Sequence, residues 1–321
     1  MKVARRAEFR GPTAAVVTLG ALGLVPLLVG REDLLNLGVV FLLTVALAQS
    51  WNVIAGLAGQ VNLGHAAFFG LGALVTRELW VTGTSIGLAM AAGAAVAAAA
   101  GVAVGLAAFR LRGAYFAIGT LALGEILRIS VGNVLSEIST LPAATIAGYR
   151  LTARYYAALA LAVGSVLIVT ALGVSRLGLG MQAVREDEAA AAASGVGALG
   201  VKLRAVALST ALAGLTGGLF AYYHISYYPQ HPFSPVWTFD AVLVTFIGGA
   251  GTAHGPVLGA AFYVLFKEYL AVRWVDAHLL IFGTLFVLIV LLLPGGLVEA
   301  GQRLSRRLAR PGAGAAASAG P

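Results

Sequence analysis

Residues 85–108 read SIGLAMAAGAAVAAAAGVAVGLAA, a run with no charged side chain and scarcely a polar one. A helix needs about 20 predominantly apolar residues to cross the hydrocarbon of a bilayer, and this run is long enough. Nearly every side chain in it is small, with Gly101 and Gly105 at G-x-x-x-G spacing. Small residues let helix backbones approach closely, and in hydrocarbon that contact drives association. The run therefore reads as a membrane span packed tightly inside one bundle.

Outward from this run, apolar segments fill the chain: 13–30, 34–56, 61–79, 114–135, 154–173, 202–224, 238–250, 256–272 and 278–297. The fold class that follows is an all-α integral membrane protein, a polytopic bundle of about ten (eight to ten) transmembrane helices. Helices are expected to be short or broken near 59–70 and 248–259. The glycines and proline of Gly248 through Pro256 interrupt any helix there, so 238–272 is either two short spans with a loop or a re-entrant element. Thr13 to Gly30 carries the basic flank of a signal peptide. Its length, the lack of an A-x-A site and the spans behind it favour a retained first helix.

Composition agrees. Hydrophobic residues make up 60% and charged residues 11%, and mean hydropathy is +0.92. A soluble domain averages about 25% charged residues, so lipid is the solvent expected here. The organisation expected is a basic N-terminal segment, 1–12; a single transmembrane domain, 13–300; and a basic, then disordered tail, 301–321. The net charge of +8 gathers at the ends, in Lys2, Arg5, Arg6 and Arg10 and in Arg303, Arg306, Arg307 and Arg310. This is the positive-inside pattern rather than a nucleic-acid patch, and it predicts both termini in the cytoplasm. The loops with Arg110 and Arg112 and with Arg176 through Arg204 then fall inside; those with Glu32, Asp33, Glu137 and Asp276 fall outside.

Few residues carry chemistry. The chain has no cysteine, which excludes disulfides, Cys-ligated zinc and a thiol nucleophile. Neither His65 nor His254 has a carboxylate at ligand spacing, so no metal site is expected and each reads as a hydrogen-bonded structural histidine. The aromatic loop Tyr222 through Pro229 reads first as an interfacial belt, then as a contact for a partner protein. Glu125 reads as the one acid deep within a span, about 18 Å along its helix from Gly113 at 1.5 Å per residue. Burying it there costs roughly 2.5–3.5 kcal/mol, so it should face the bundle interior and meet Arg128, one turn on. Either the two form an internal ion pair, or they line a path and meet the ammonium and carboxylate of a zwitterion.

The long connection 175–201 contains Ser175-Arg176-Leu177-Gly178-Leu179-Gly180, then Met181 to Glu188, five alanines and Ser194-Gly195. Five alanines favour helix, Gly195 is a natural terminator, and Arg185 with Glu188 is an i,i+3 pair. A short surface helix, bracketed by Gly180 and Gly195 and bearing a small-residue face, suits docking of a soluble partner.

Arg185-Glu186-Asp187-Glu188-Ala189 through Gly195 resembles the EAA-type coupling loop of ABC importer permeases. Gly59-Gln60-Val61-Asn62-Leu63-Gly64-His65 to Gly70, Arg110 to Ile118, and Gly248 to Ala260 resemble, in order, signatures of the branched-chain amino acid permease family, in its LivM-like branch. One segment departs: where that family carries Thr-Gly-Gly, this chain has Asn133 and Ser136 to Pro142. The resemblance implies an importer subunit that is not itself an enzyme. Two ATPase subunits would use ATP and Mg²⁺ inside, a related permease would complete a heterodimer, and an extracytoplasmic binding protein would deliver branched-chain or other small amino acids. Urea, short amides or nucleosides are alternative solutes; a self-sufficient secondary transporter or channel is the different-class alternative. No Walker A loop surrounds Lys2, Lys202 or Lys267, so this chain would bind no nucleotide cofactor itself. By the same resemblance Arg185, Glu186, Asp187, Glu188, Ala189 and Gly195 form the ATPase-coupling loop. Asn62, His65, Thr120, Glu125, Arg128 and Thr252 are candidates for the solute path. The expected location is a prokaryotic inner membrane.

Overall fold

The computed structural model describes residues 12–28, 30–111, 113–273, 283–284, 287–288 and 295–301. The basic termini, Arg112, Asp276, the tail 311–321 and most of the span expected at 278–297 lie outside these residues.

The first apolar segment forms α1 (Pro12–Ala21), a 3₁₀ turn (Leu22–Leu24) and α2 (Val25–Leu28). Next comes α3 (Glu32–Trp51), whose first turn carries Glu32 and Asp33, acids that suit the positive end of a helix dipole. It runs into a π-helix, Asn52–Leu57. The chain then turns at Gly59, whose φ of +72° is a left-handed conformation open to glycine. Next are α4 (His65–Val81), α5 (Ile86–Ala108) and α6 (Ala114–Val134). After the two-residue strand β1 (Ser139–Thr140) and α7 (Ala143–Ala147) comes α8 (Leu151–Val174). The connection that follows holds α9 (Arg176–Glu186) and α10 (Glu188–Ala193). The remaining elements are α11 (Ala198–Tyr223), strand β2 (Ser226–Tyr227), α12 (Pro235–Gly248) and α13 (Gly255–Arg273). The stretch 238–272 is thus two helices joined by a glycine-rich turn.

Among the described residues five helices are long and apolar enough to cross a membrane: α3 with its π-extension, α5, α6, α8 and α11. The apolar windows of α3 and α11 are 78% and 72% buried, against 28%, 22% and 39% for α5, α6 and α8. So α3 and α11 form the centre, and the other three present broad apolar faces outward. This is the architecture of a polytopic all-α membrane protein.

Glycine sets the spacing at the centre. A Cβ on Gly72 of α4 would collide with the Gly214 backbone of α11, and one on Gly214 would meet Ala97, Ala94 and Gly93 of α5. Gly101 is buried, and a Cβ there would collide with Thr210 of α11. The G-x-x-x-G pair therefore serves packing inside the bundle, as read from the sequence.

At one end, β1 pairs antiparallel with β2, Ser139 opposite Tyr227. Arg77, 1% exposed, holds this end together. Its Nε donates to Ser139 Oγ at 3.0 Å, Nη1 to the Ala221 and His224 carbonyls at 3.1 and 3.0 Å, and Nη2 to the Ser139 and Ile225 carbonyls at 2.8 and 2.5 Å. All the donors of the guanidinium fork are thereby used. Arg154 lies between the Tyr149 and Tyr222 rings, 3.6 and 4.3 Å from their centroids. The aromatic loop is accordingly not a simple belt: Tyr227 is buried and Tyr222 stacks on a cation, while Tyr228 is exposed.

Candidate functional site

Polar residues at the end of α3 bring the two glycine-rich stretches together. Gln49 Nε2 donates to the Ala253 carbonyl at 2.6 Å and Asn52 Nδ2 to that of Thr252 at 2.8 Å, while Gly251 N–H donates to Asn52 Oδ1 at 2.8 Å. Trp51 Nε1 donates to the Asn62 carbonyl at 2.8 Å, pinning the other stretch to the same turn of helix. A π-helix leaves a local surplus residue and often marks a functional position. Here it lies between these two anchor sets.

Several expected path residues meet at this point as buried structural partners. Asn62 Oδ1 accepts from Gly64 N–H at 2.9 Å, and Thr120 Oγ1 accepts from Leu63 N–H at 3.1 Å. His65 Nε2 lies 2.7 Å from Ser50 Oγ, and Ser209 Oγ donates to the Ser50 carbonyl at 2.7 Å. Its Nδ1 is buried without a hydrogen-bond partner. Thr252 is half-buried and closes its own turn, donating to the Gly249 carbonyl at 2.9 Å and accepting from Gly255 N–H at 3.0 Å. Gln49, Ser50 and Asn52 were not singled out from the sequence, although three polar residues interrupting an otherwise apolar span are a legible signal.

Glu125 and Arg128 do pair: Arg128 Nε lies 3.0 and 2.9 Å from the two carboxylate oxygens and Nη2 lies 2.5 Å from Oε1. The pair is not inside the bundle, however. The Arg128 and Glu125 side chains are 34% and 37% exposed, because α6 buries only Phe116, Thr120 and Gly124. Nor is Glu125 the one acid within the helices. Asp240 of α12 accepts from Tyr263 Oη, and Lys267 Nζ of α13 lies 3.4 Å from Asp240 and 2.8 Å from Tyr263 Oη.

The 176–193 connection differs from expectation in its break. Ser175 caps α9, accepting from Gly178 N–H at 3.0 Å, and Gly180 lies inside that helix rather than before it. The helix stops at Asp187, whose carboxylate accepts from Ala189 and Ala190 N–H at 2.8 and 3.0 Å and so starts α10. That break separates Arg185 from Glu188, and the expected pair does not form. Arg185 Nη1 instead donates to the Gly56 carbonyl of the π-helix, and Glu188 pairs with Lys202 at 2.6 Å. Gly195, at φ +82°, ends the element as expected. Met181, Val184 and Ala191 pack into a core with Val53, Leu57 and Ala253. Glu186, Asp187, Ala189, Ala190 and Ser194 remain exposed on the other side. Among the described residues no group of three or more His, Asp or Glu could hold a metal ion.

A multi-pass bundle whose helices break at glycine-rich turns, beside a rigid surface element, has the build of a membrane transport protein. The chain belongs to the family described as branched-chain amino acid transport system / permease component, whose model matches residues 33–290. The high-affinity branched-chain amino acid transport system permease protein LivM of Salmonella typhimurium is 28% identical to it, over 85% of this chain and 71% of that protein. Its counterpart in Escherichia coli is 29% identical over 84% and 70%. The probable branched-chain amino acid transport permease protein LivM of Methanocaldococcus jannaschii is 26% identical over 37% and 38%. No solved structure matches the chain.

Proposed function

We propose that this chain is the membrane-spanning permease subunit of an ABC importer for branched-chain or other small amino acids. Two separate ATPase subunits would supply the energy, a related permease would stand beside it, and an extracytoplasmic binding protein would deliver the solute. The observation that carries this reading is the α9–α10 element. Its apolar side is packed onto the π-helix where the two glycine-rich stretches meet, and its opposite side, with Glu186, Asp187, Ala189 and Ala190, is exposed where a docking protein could reach it. A connector between two spans needs neither the internal Asp187 cap nor the bond from Arg185 to the Gly56 carbonyl.

Glu125 and Arg128 then serve the solute path as a charge pair able to exchange partners with an ammonium and a carboxylate. An ion pair open at membrane depth is costly against lipid and suits a polar path or a facing subunit. The test is reconstitution of this chain with its ATPase subunits and a binding protein. Glu186→Arg or Gly195→Arg should insert and express normally, yet ATP hydrolysis should no longer drive uptake. Normal uptake in both variants would sink the docking assignment.

A further inference from the structure

The loop Gly59-Gln60-Val61 separates a cavity from a side chain of the docking element. The cavity, of about 270 Å³, is lined by this loop and, at the start of α6, by Gly113, Ala114, Phe116 and Ala117. From Ala117 a stripe continues along one face of α6 through Leu121, Glu125, Arg128 and Gly132, at spacings of four, four, three and four residues. At its far end Gly132 lies against Gln230. The cavity is therefore the end of this stripe nearest α9.

Arg185 reaches the loop from the other side. Its stem lies so close to Gly59 that a Cβ built there would come within 2.8 Å of Arg185 Cγ. Its guanidinium holds the Gly56 carbonyl and lies beside Gly251. The next fixed points are Asn62, held by Trp51, and Leu63, held by Thr120. Gly59 and Gln60 N–H donate to the Ala55 and Ile54 carbonyls at 3.1 and 3.0 Å, so the start of the loop is tied to the end of the π-helix that Arg185 holds, and Val61, 41% exposed, joins it to the pinned Asn62.

We propose that Gly59–Val61 is the gate at the inner end of the solute path and that Arg185 is the positioning residue that works it. The proposal rests on reading α9–α10 as the ATPase-docking element. Movement of α9 toward or away from the bundle pulls the Gly56 carbonyl and Gly59 with Arg185. Asn62 stays pinned, so the displacement is taken up by Gln60 and Val61 across the mouth of the cavity. A left-handed glycine and the surplus residue of a π-helix can absorb such a shift where a regular α-helix would resist it.

The test uses the cysteine-free chain assembled with its ATPase subunits, carrying Val61→Cys as a reporter for a maleimide. Labelling rates in the nucleotide-free and vanadate-trapped complexes should differ. Arg185→Ala should abolish that difference in assembled complexes, and Arg185→Lys, which keeps one donor for Gly56, should restore part of it. Gly59→Ala, which disturbs the same contact from the loop side, should also abolish it and covers the case in which Arg185→Ala fails to assemble. An equal nucleotide response in parent and variants, or none in the parent, would overturn the gate while leaving the importer reading intact. Failure of any ATPase to co-purify with the parent would overturn both.

Discussion

Arg128 and Glu125 set a problem that charge alone decides. If the carboxylate recognises the solute, Glu125→Gln should lower uptake and solute-stimulated ATP hydrolysis without affecting solute capture by the binding protein. If it serves only Arg128, the same change leaves an unpaired cation. Fully buried, that would cost about 3–5 kcal/mol; at roughly one-third exposure the cost is smaller, and the complex should still melt earlier. Stability and uptake both recovered in Glu125→Gln with Arg128→Gln would make the pair structural. A second residue-level outcome concerns His224, whose ring burial holds its pKa below the ordinary value, with His231 and Arg77 adding to the effect. The unfolded ring takes a proton near pH 6.5 while the folded one resists, so its contribution is complete above that pH and falls as the pH drops. Melting temperature in detergent should decline from pH 7 to pH 5, and His224→Gln should lessen the decline. Arg77 was not legible as a clamp in sequence, because all but one of its partners are backbone carbonyls, which every residue possesses.

At the scale of elements, the 176–193 connection was legible as a helical element but not in its break. An acid followed by alanines reads equally well as the first turn of a helix or as its middle. Only the Asp187 bonds to Ala189 and Ala190 N–H distinguish the two. Loss of an N-cap typically costs about 1 kcal/mol. Asp187→Ala should therefore fray the start of α10, while Asp187→Asn or Asp187→Ser, which still cap, should preserve it. Amide exchange across 187–193 would separate these outcomes, with faster exchange in the alanine variant alone. The break also explains the missing Arg185–Glu188 pair, since an i,i+3 neighbour requires one continuous helix. The boundaries of the described apolar helices, by contrast, were legible to within a few residues, because lipid demands unbroken apolar runs and the connections supply polar residues and glycine.

For the whole molecule, charge bias predicts that 135–142 faces outside and 175–201 faces the cytoplasm. With no native cysteine, single thiols report this directly. Ser194→Cys should label only from the cytoplasmic side and Thr140→Cys only from outside; Ser139 is a poorer reporter because its hydroxyl accepts from Arg77. Outside labelling at Ser194 would invert the topology. What the sequence could not convey is which helices lie at the centre. Helices α3, α5 and α8 are all strongly apolar, yet only α3 is largely enclosed. Lipid-facing and protein-facing sides look alike when both are hydrophobic, and the glycine contacts that separate them depend on residues far apart in the chain.

The π-helix at 52–57 also bears on how such a chain can change over generations. Each residue of an α-helix turns the chain by about 100° and advances it by about 1.5 Å. Deleting any one residue of this segment would restore a regular helix and turn Gly59 through His65 to a new bearing. Asn62 would leave Trp51, and Gly59 would leave Arg185, in a single step. A point substitution disturbs one contact at a time and leaves this register intact, whereas the length of the chain between Trp51 and Gly59 is fixed like the tooth count of a gear.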